Sequence, residues 1–350
     1  MPDLRLPDRL SLARLPTPVE RLNALSAELG VSLLVKRDDL TGMPMSGNKI
    51  RKLEFVLAEA KRRDSTDLLS TGGVQSNHCR AVAVAARRLG LQPHLLLRTP
   101  DGRAPGETDG NLLLNFMLDA DIRYINPAEY EMRDILLGRW ADELTEAGRR
   151  PYVIPEGASN ALGSLGYFLM VKELEAQLQE GRLPGNRPPD FLVHACGSGG
   201  TAAGLAAGLT LHPFGPDGAR PRLVSYSVCD DEATFRARID GIISDLASGF
   251  LPTLDESAAS YDLVDAYRGE GYALSTPAEL RFIREIARAE GLLLDPVYTG
   301  KAFRGMVEEI RLGSRYPQGS TILFVHTGGL FGLFPKRAEL LAALEPNKPK

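Results

Sequence analysis

Short apolar runs recur along the chain with helical patterns between them, and this alternation constrains the fold more than any other feature. The runs are SLLVK (32–36), DLLST (67–71), HLLLR (94–98), IRYI (122–125), DFLVHA (190–195), RLVSYSV (222–228) and STILFV (320–325). Several are too apolar to alternate between a wet and a dry face, as expected of central strands covered on both sides. Between them, Ile50, Leu53, Val56, Leu57 and Ala60 share one face of a helix over 48–63. A second helix, 76–89, starts at Ser76, a good N-cap, and stops before Gly90. A third, 277–290, follows Thr276-Pro277-Ala278-Glu279, a capping box with proline at the first helical position. Strand–helix alternation of this kind implies α/β architecture, with mostly parallel sheets joined by right-handed crossovers. One sheet holding all the strands of a 350-residue chain would be large, so two three-layer α/β/α domains are expected. The segments 99–111 and 180–190 are Gly/Pro/polar breaks, the second a surface loop before a buried strand.

Charge and cysteine usage narrow the partners. The formal net charge is −4 with acids and bases interspersed, which argues against a generic nucleic-acid surface. Cys79, Cys196 and Cys229 are spaced for neither a disulfide framework nor a metal site, so reduced cytosolic thiols and no metal are expected. The first twenty residues carry charges and prolines where a secretory signal needs an apolar core. No apolar run reaches the roughly 18 residues that a membrane helix requires. A cytoplasmic protein with no membrane contact is the expectation.

Five segments have the residue types for chemistry. Ser46-Gly47-Asn48-Lys49-Ile50-Arg51-Lys52-Leu53 puts Lys49 where a glycine loop becomes a helix. Backbone N–H groups there disfavour its ammonium and favour a nucleophilic amine, although most such lysines are merely solvated. In Ser70-Thr71-Gly72-Gly73-Val74-Gln75-Ser76-Asn77-His78 a strand should end at Thr71, two glycines turn the chain, and a helix open at Ser76. Its free N–H groups suit a carboxylate, but Ser76 would cap the helix with or without a ligand. His78 receives no acid–base role. Cys196-Gly197-Ser198-Gly199-Gly200-Thr201-Ala202 opens a helix after the strand 190–195, and its glycines let the backbone approach a phosphate. Gly197, Gly199 and Ala202 equally fit a dinucleotide fingerprint, so this segment alone leaves a nicotinamide cofactor open. Leu294-Asp295-Pro296-Val297-Tyr298-Thr299-Gly300-Lys301, with Gly271-Tyr272 before it, can present two phenols, yet most tyrosines only pack. Phe324-Val325-His326-Thr327-Gly328-Gly329 repeats the strand-then-Thr-Gly-Gly pattern of 70–73, and the Thr327 hydroxyl can bond a ring nitrogen without carrying charge. Two such strand ends facing one cleft is where open α/β sheets bind ligands.

In this order the five segments resemble the D-cysteine desulfhydrase and 1-aminocyclopropane-1-carboxylate deaminase family, within the tryptophan-synthase-β-like, fold-type-II pyridoxal-phosphate enzymes. The resemblance runs from about Leu15 to Leu333, carried by SGNKIRKLE, GGVQSNH, PEGASNALG and DPVYTGKA together. It implies a large cofactor-binding domain from 1–54 and 168–350, a small domain from 55–167, and a homodimer. By resemblance, Lys49 would hold pyridoxal 5'-phosphate as a Schiff base and later move the substrate α-proton. Lys52 would approach the cofactor phosphate, seated on Gly197, Ser198, Gly199, Gly200 and Thr201. Asn77 would bond the cofactor's 3-hydroxyl oxygen, and Ser76 the substrate carboxylate. Tyr272 and Tyr298 would flank the substrate side chain, and Thr327 would face the pyridine nitrogen.

The ring-opening deaminases of this family resemble one another in placing a glutamate just after the equivalent of Tyr298, where this chain has Thr299. A carboxylate there would favour a protonated ring and a stronger electron sink; neutral hydroxyls at Thr299 and Thr327 leave a weaker one. That suffices for β-elimination of a good leaving group from a small amino acid. Desulfhydration of D-cysteine to pyruvate, ammonia and sulfide is therefore preferred over ring opening. Lyases for other β-substituted amino acids, such as cysteate, remain within the class. Departures from the family pattern are small: Tyr272-Ala273 for Tyr-Gly, Ala158 where glycine is frequent, and Cys79 after His78.

Two readings lie outside the class. A nicotinamide-dependent oxidoreductase would use 197–202 with Asp230 as its ribose contact, and leaves SGNKIRK and GGVQSNH unexplained. A non-catalytic small-molecule binding module should lack or misplace Lys49.

Overall fold

The computed structural model describes residues 5–212, 218 and 220–344. The ends of the range 1–350 named above therefore lie outside the described residues. Among the described residues ten strands form two sheets. They are β1 (Val19–Arg21), β2 (Ser32–Lys36), β3 (Asp67–Gly73), β4 (Gln92–Arg98), β5 (Asp121–Ile125), β6 (Pro151–Val153), β7 (Phe191–Cys196), β8 (Arg222–Ser227), β9 (Asp262–Val264) and β10 (Thr321–Val325). The six-stranded sheet has the order β1-β2-β10-β7-β8-β9 and the four-stranded sheet β5-β4-β3-β6. Every pairing is parallel except that of β1 with β2. The chain is an α/β protein of the expected class.

Seven strands lie on the seven apolar runs. The three-residue strands β1, β6 and β9 had no such signal. β3 also corrects an expectation: it does not end at Thr71. Gly72 and Gly73 continue the ladder opposite Leu97 and Arg98 of β4, and the chain turns only afterwards. Glycine is needed at 72 for a different reason than a turn, since a Cβ there would sit 2.6 Å from Ser76 Oγ.

Helices cover both faces of the six-stranded sheet, so its central strands β10 and β7 are buried throughout. On one face pack the helices Ala161–Gln179, Gly200–Leu211 and Glu232–Gly249, with Leu165, Phe168, Leu205, Ile239 and Leu246 at the contact. On the other pack Pro277–Glu290 and Thr299–Leu312, through Ile283, Phe303, Met306 and Ile310. Full burial of each such side chain contributes about 1.5–3 kcal/mol. The helix Lys49–Arg62 turns Leu53, Val56 and Leu57 toward Val82 and Ala85 of Asn77–Arg88 and toward Leu68 of β3. The helix Arg133–Glu146 covers the four-stranded sheet with Leu137 and Trp140. The capping box at Thr276 forms as its spacing dictates, Thr276 Oγ1 accepting from Glu279 N and Glu279 Oε2 from Thr276 N.

Candidate active site

A cavity of about 260 Å³ opens where the carboxyl ends of both sheets converge. Its wall takes Ser76, Asn77 and His78 from beyond β3, and Arg98 from the end of β4. Gly197, Ser198, Gly199 and Thr201 follow β7, Cys229 and Asp230 follow β8, and Thr327 and Gly328 follow β10. Lys49, Tyr272 and Tyr298 also line it.

Lys49 is the first residue of its helix. It meets the cavity and is otherwise enclosed by protein, and burial lowers its amine from 10.5 to about 8, against the opposing pull of the Glu156 carboxylate. The shift has the expected direction, but burial is the largest cause, not the helix start. The residue is locked in place from both sides. Asn48 N donates to Thr327 O at 3.1 Å, and Asn48 Nδ2 to Thr201 Oγ1 at 3.3 Å. Gly47, at φ +104°, passes so near the 327 turn that a Cβ would lie 2.6 Å from Thr327 O.

The glycine loop and Lys52 form one cradle. Lys52 is fully buried and sits behind the cavity wall, its Nζ donating to Ser159 Oγ at 3.0 Å and Gly157 O at 3.3 Å. Ser159 Oγ is 2.8 Å from Ser198 Oγ. A Cβ on Gly200 would lie 2.9 Å from Lys52 Nζ and 2.8 Å from Ser159 Cα. No carboxylate pairs with Lys52 among the described residues, and burial together with the neighbouring Lys49 holds its amine well below the usual range. A buried amine that lacks a carboxylate partner, beside a glycine-rich helix start, is complementary to a phosphate, whose charge would favour its ammonium form. The residues present fit pyridoxal phosphate.

Around the remaining wall, Ser76 caps the helix Asn77–Arg88 by accepting from Cys79 N. Asn77 Oδ1 accepts from Asn111 Nδ2 at 3.0 Å, so its own amide N–H groups remain for a ligand acceptor. His78 Nε2 lies 2.8 Å from Ser70 Oγ, which itself donates to Ile154 O. His78 therefore donates from Nε2 and is neutral, burial and the two lysines holding it well below the usual histidine range. Tyr272 and Tyr298 meet hydroxyl to hydroxyl at 3.0 Å with rings at 71°. Burial raises the Tyr272 phenol to about 12 and Tyr298 further, so both stay protonated. Glycines make room for them, since a Cβ on Gly73 would meet the Tyr272 ring at 3.0 Å and one on Gly197 the Tyr298 ring at 2.8 Å.

Thr299 stands apart. It is fully buried, and its hydroxyl is engaged with Asp295, donating to Oδ1 at 2.7 Å and accepting from Asp295 N at 2.8 Å. Its neighbour Asp295 also accepts from the backbone N–H of Val297, Tyr298 and Thr299. Thr299 is thus tied back to Asp295 at the start of its helix and does not line the cavity, while Thr327 does.

The sequence reading passed over one side of the wall: Tyr130, Arg133, Glu156 and Arg98. Tyr130 Oη donates to Glu156 Oε1 at 2.6 Å, and Arg133 Nε is 3.5 Å from Glu156 Oε2. The available signal for Glu156 was its place in PEGASNALG, one of the segments that carry the family resemblance. The structure also accounts for two departures from the family pattern. Ala158 and Ala273 both adopt positive φ, +48° and +60°, where glycine is the relaxed choice. The dinucleotide reading of 197–202 gains no support from Asp230, which is paired with Arg238 at 2.8 Å.

The family model for pyridoxal-phosphate dependent enzymes matches residues 10–328. A mitochondrial bifunctional D-cysteine desulfhydrase/1-aminocyclopropane-1-carboxylate deaminase of Arabidopsis thaliana is 41% identical over 344 residues, 96% of this chain and 82% of that protein. A D-cysteine desulfhydrase of Yersinia pestis is 37% identical, covering 93% of this chain and 95% of its own. The crystal structure of an ACC deaminase homologue, 36% identical, superposes with a TM-score of 0.85 over 97% of both chains.

Proposed function

The chain belongs to the pyridoxal-phosphate dependent enzymes, and on that premise we propose that it releases the β-substituent of a small amino acid, with D-cysteine the preferred substrate. The products are pyruvate, ammonia and sulfide. The observation that carries this reading is Lys49: an amine on the cavity wall, its pKa lowered to about 8, one helical turn before the buried and uncompensated Lys52.

When bound, pyridoxal phosphate supplies an electron sink that makes the α-hydrogen of an attached amino acid acidic. Lys49 Nζ would hold its aldehyde carbon, and the same amine would take up the substrate α-proton. Lys52, Gly197, Ser198, Gly199, Gly200 and Thr201 hold the phosphate. Asn77 donates to the 3-hydroxyl oxygen, and Thr327 offers a neutral hydroxyl to the ring nitrogen. Ser76 and the helix start beside it take the substrate carboxylate. Tyr272 and Tyr298 flank the side chain and donate their O–H groups. A neutral partner at Thr327 supports elimination of a stable anion over opening of a carbon ring. The double activity named for the Arabidopsis relative keeps 1-aminocyclopropane-1-carboxylate deamination as the second reading.

The large unit comprises 1–54 and 168–350, the small unit 55–167, and the protein works as a cytoplasmic homodimer. Among the described residues no helix is long and apolar enough to cross a membrane.

Purified protein should absorb visible light, and borohydride should fix the cofactor on Lys49. Lys49→Ala should abolish 2-oxo acid release from a panel of D- and L-amino acids bearing β leaving groups and from the cyclopropane acid. Full activity in that variant, or a protein that stays colourless with added cofactor, overturns the reading.

A further inference from the structure

Four cationic side chains line the cavity, and three of them have an assigned partner or task. Arg238 donates to Asp230 at 2.8 Å, and Arg133 lies 3.5 Å from Glu156. Lys49 is the amine for the cofactor. The fourth, Arg98, makes no side-chain hydrogen bond and no ion pair among the described residues. Its guanidinium carbon lies 4.5 Å from the centre of the Tyr130 ring and 5.1 Å from that of Tyr272. Stacking of this kind fixes a guanidinium by its face and leaves the in-plane N–H donors for an acceptor. The backbone beneath it is rigid: Arg98 ends β4, pairs with Gly73 of β3, and accepts from Val74 N at 3.0 Å.

We propose that Arg98 is a specificity-determining residue that receives the substrate's β-substituent and stabilises the negative charge it carries away. The proposal rests on the elimination reading above and names its substrate class: amino acids whose leaving group departs as a stable anion more basic than chloride, hydrosulfide foremost. Arg98 touches Tyr272, which flanks the side chain, whereas the carboxylate is held at Ser76. In the step concerned, the α-proton goes to Lys49 Nζ and the C–H electron pair becomes the Cα–Cβ double bond. The Cβ–S electron pair leaves with sulfur as hydrosulfide, beside the guanidinium. Water and a proton then complete the change of the three-carbon product to pyruvate and ammonium. A cyclopropane carbon leaves no separate anion and gains nothing from Arg98.

The test compares Arg98→Gln and Arg98→Lys with wild type on D-cysteine and on β-chloro-D-alanine, whose chloride leaves readily without help. Arg98→Gln should lower kcat/KM for D-cysteine on the order of 10- to 100-fold, as loss of a charged donor at a developing anion does. It should lower the chloro compound less than about 3-fold, a difference under 1 kcal/mol. Arg98→Lys, which keeps the charge, should recover part of the D-cysteine loss, with visible absorbance unchanged in both variants. Equal losses on the two substrates, the pattern of a prop for Tyr272 or of a carboxylate contact, would overturn the role of Arg98 alone. Wild-type protein that releases pyruvate from neither compound would remove the elimination reading and this proposal with it.

Discussion

The guanidinium of Arg51 clasps the carboxylate of Asp38 through two hydrogen bonds, 2.9 Å from Nε to Oδ2 and 2.7 Å from Nη2 to Oδ1. The pair lies in the interior, just along the helix from Lys49. Glu173 takes the rest of the guanidinium at 2.8 and 3.0 Å, and Tyr167 Oη donates to Asp38 at 2.6 Å. The helix that starts at the reactive amine is thereby bolted to the strand end after β2 and to the helix Ala161–Gln179. Asp38→Asn leaves the buried arginine under-compensated and should cost about 3–5 kcal/mol of stability. Urea unfolding measures it, and a loss under about 1 kcal/mol would show that the network contributes little.

Burial of Lys49 makes the cofactor-free protein pH-sensitive in a defined direction. Its amine titrates at about 8 in the folded chain against an ordinary 10.5, so between those values the unfolded chain binds more protons. The folded state carries the full penalty below about 8 and loses it as pH rises toward 10.5. Lys49→Met removes this term and should exceed wild type in stability at neutral pH by on the order of 3 kcal/mol. The gap should close at high pH. A gap that is constant with pH, in paired denaturation curves of the two apo-proteins, would contradict the depressed amine.

Alanine at a left-handed backbone position stores strain that glycine does not. Ala158 and Ala273 sit at φ +48° and +60° on the two loops that carry Ser159 and Tyr272. Replacing each by glycine relieves roughly 1 kcal/mol of strain per site, offset in part by the greater freedom of the unfolded chain. Melting temperatures of Ala158→Gly and Ala273→Gly should therefore equal or exceed that of wild type. A clear fall in either would mean that the methyl group packs favourably enough to outweigh the backbone.

Two threonines that read alike in the sequence should separate in experiment. Thr299→Val breaks both hydroxyl bonds to Asp295 and should cost about 1–3 kcal/mol of stability without altering the visible spectrum of the loaded protein. Thr327→Val, at the cavity wall, should do the reverse. Spectral change in the Thr299 variant at unchanged stability would return Thr299 to the cofactor.

Legibility in the sequence followed the range of the forces involved. Apolar runs and caps are local, so the long strands, the helix starting at Lys49 and the capping box at Thr276 could be read directly. The extension of β3 through Gly72-Gly73 could not, because it depends on a ladder partner in β4, whose last residue is Arg98. The edge strands β1, β6 and β9 are too short to carry a pattern. The glycine loop, Lys49 and the tyrosines announced themselves through residue type and order. Arg98 and Glu156 did not, since their significance comes from strand ends distant in the chain arriving at one wall. Thr299 misled because its partner, Asp295, satisfies it within a single turn of backbone.

The position of β10 between β2 and β7 has a consequence during synthesis. The strand that bridges the N-terminal pair to the rest of the six-stranded sheet is made last, ending at Val325. On the ribosome β2 must wait beside an open edge, while the four strands of the smaller sheet are all available once Val153 has emerged. That sheet can therefore assemble early, but the turn bearing Thr327, which locks Asn48 beside the reactive lysine, arrives only near the end. A nascent chain stopped short of it would carry Lys49 and the glycine loop yet have no finished pocket, and chaperones would meet an uncovered parallel sheet edge throughout that interval.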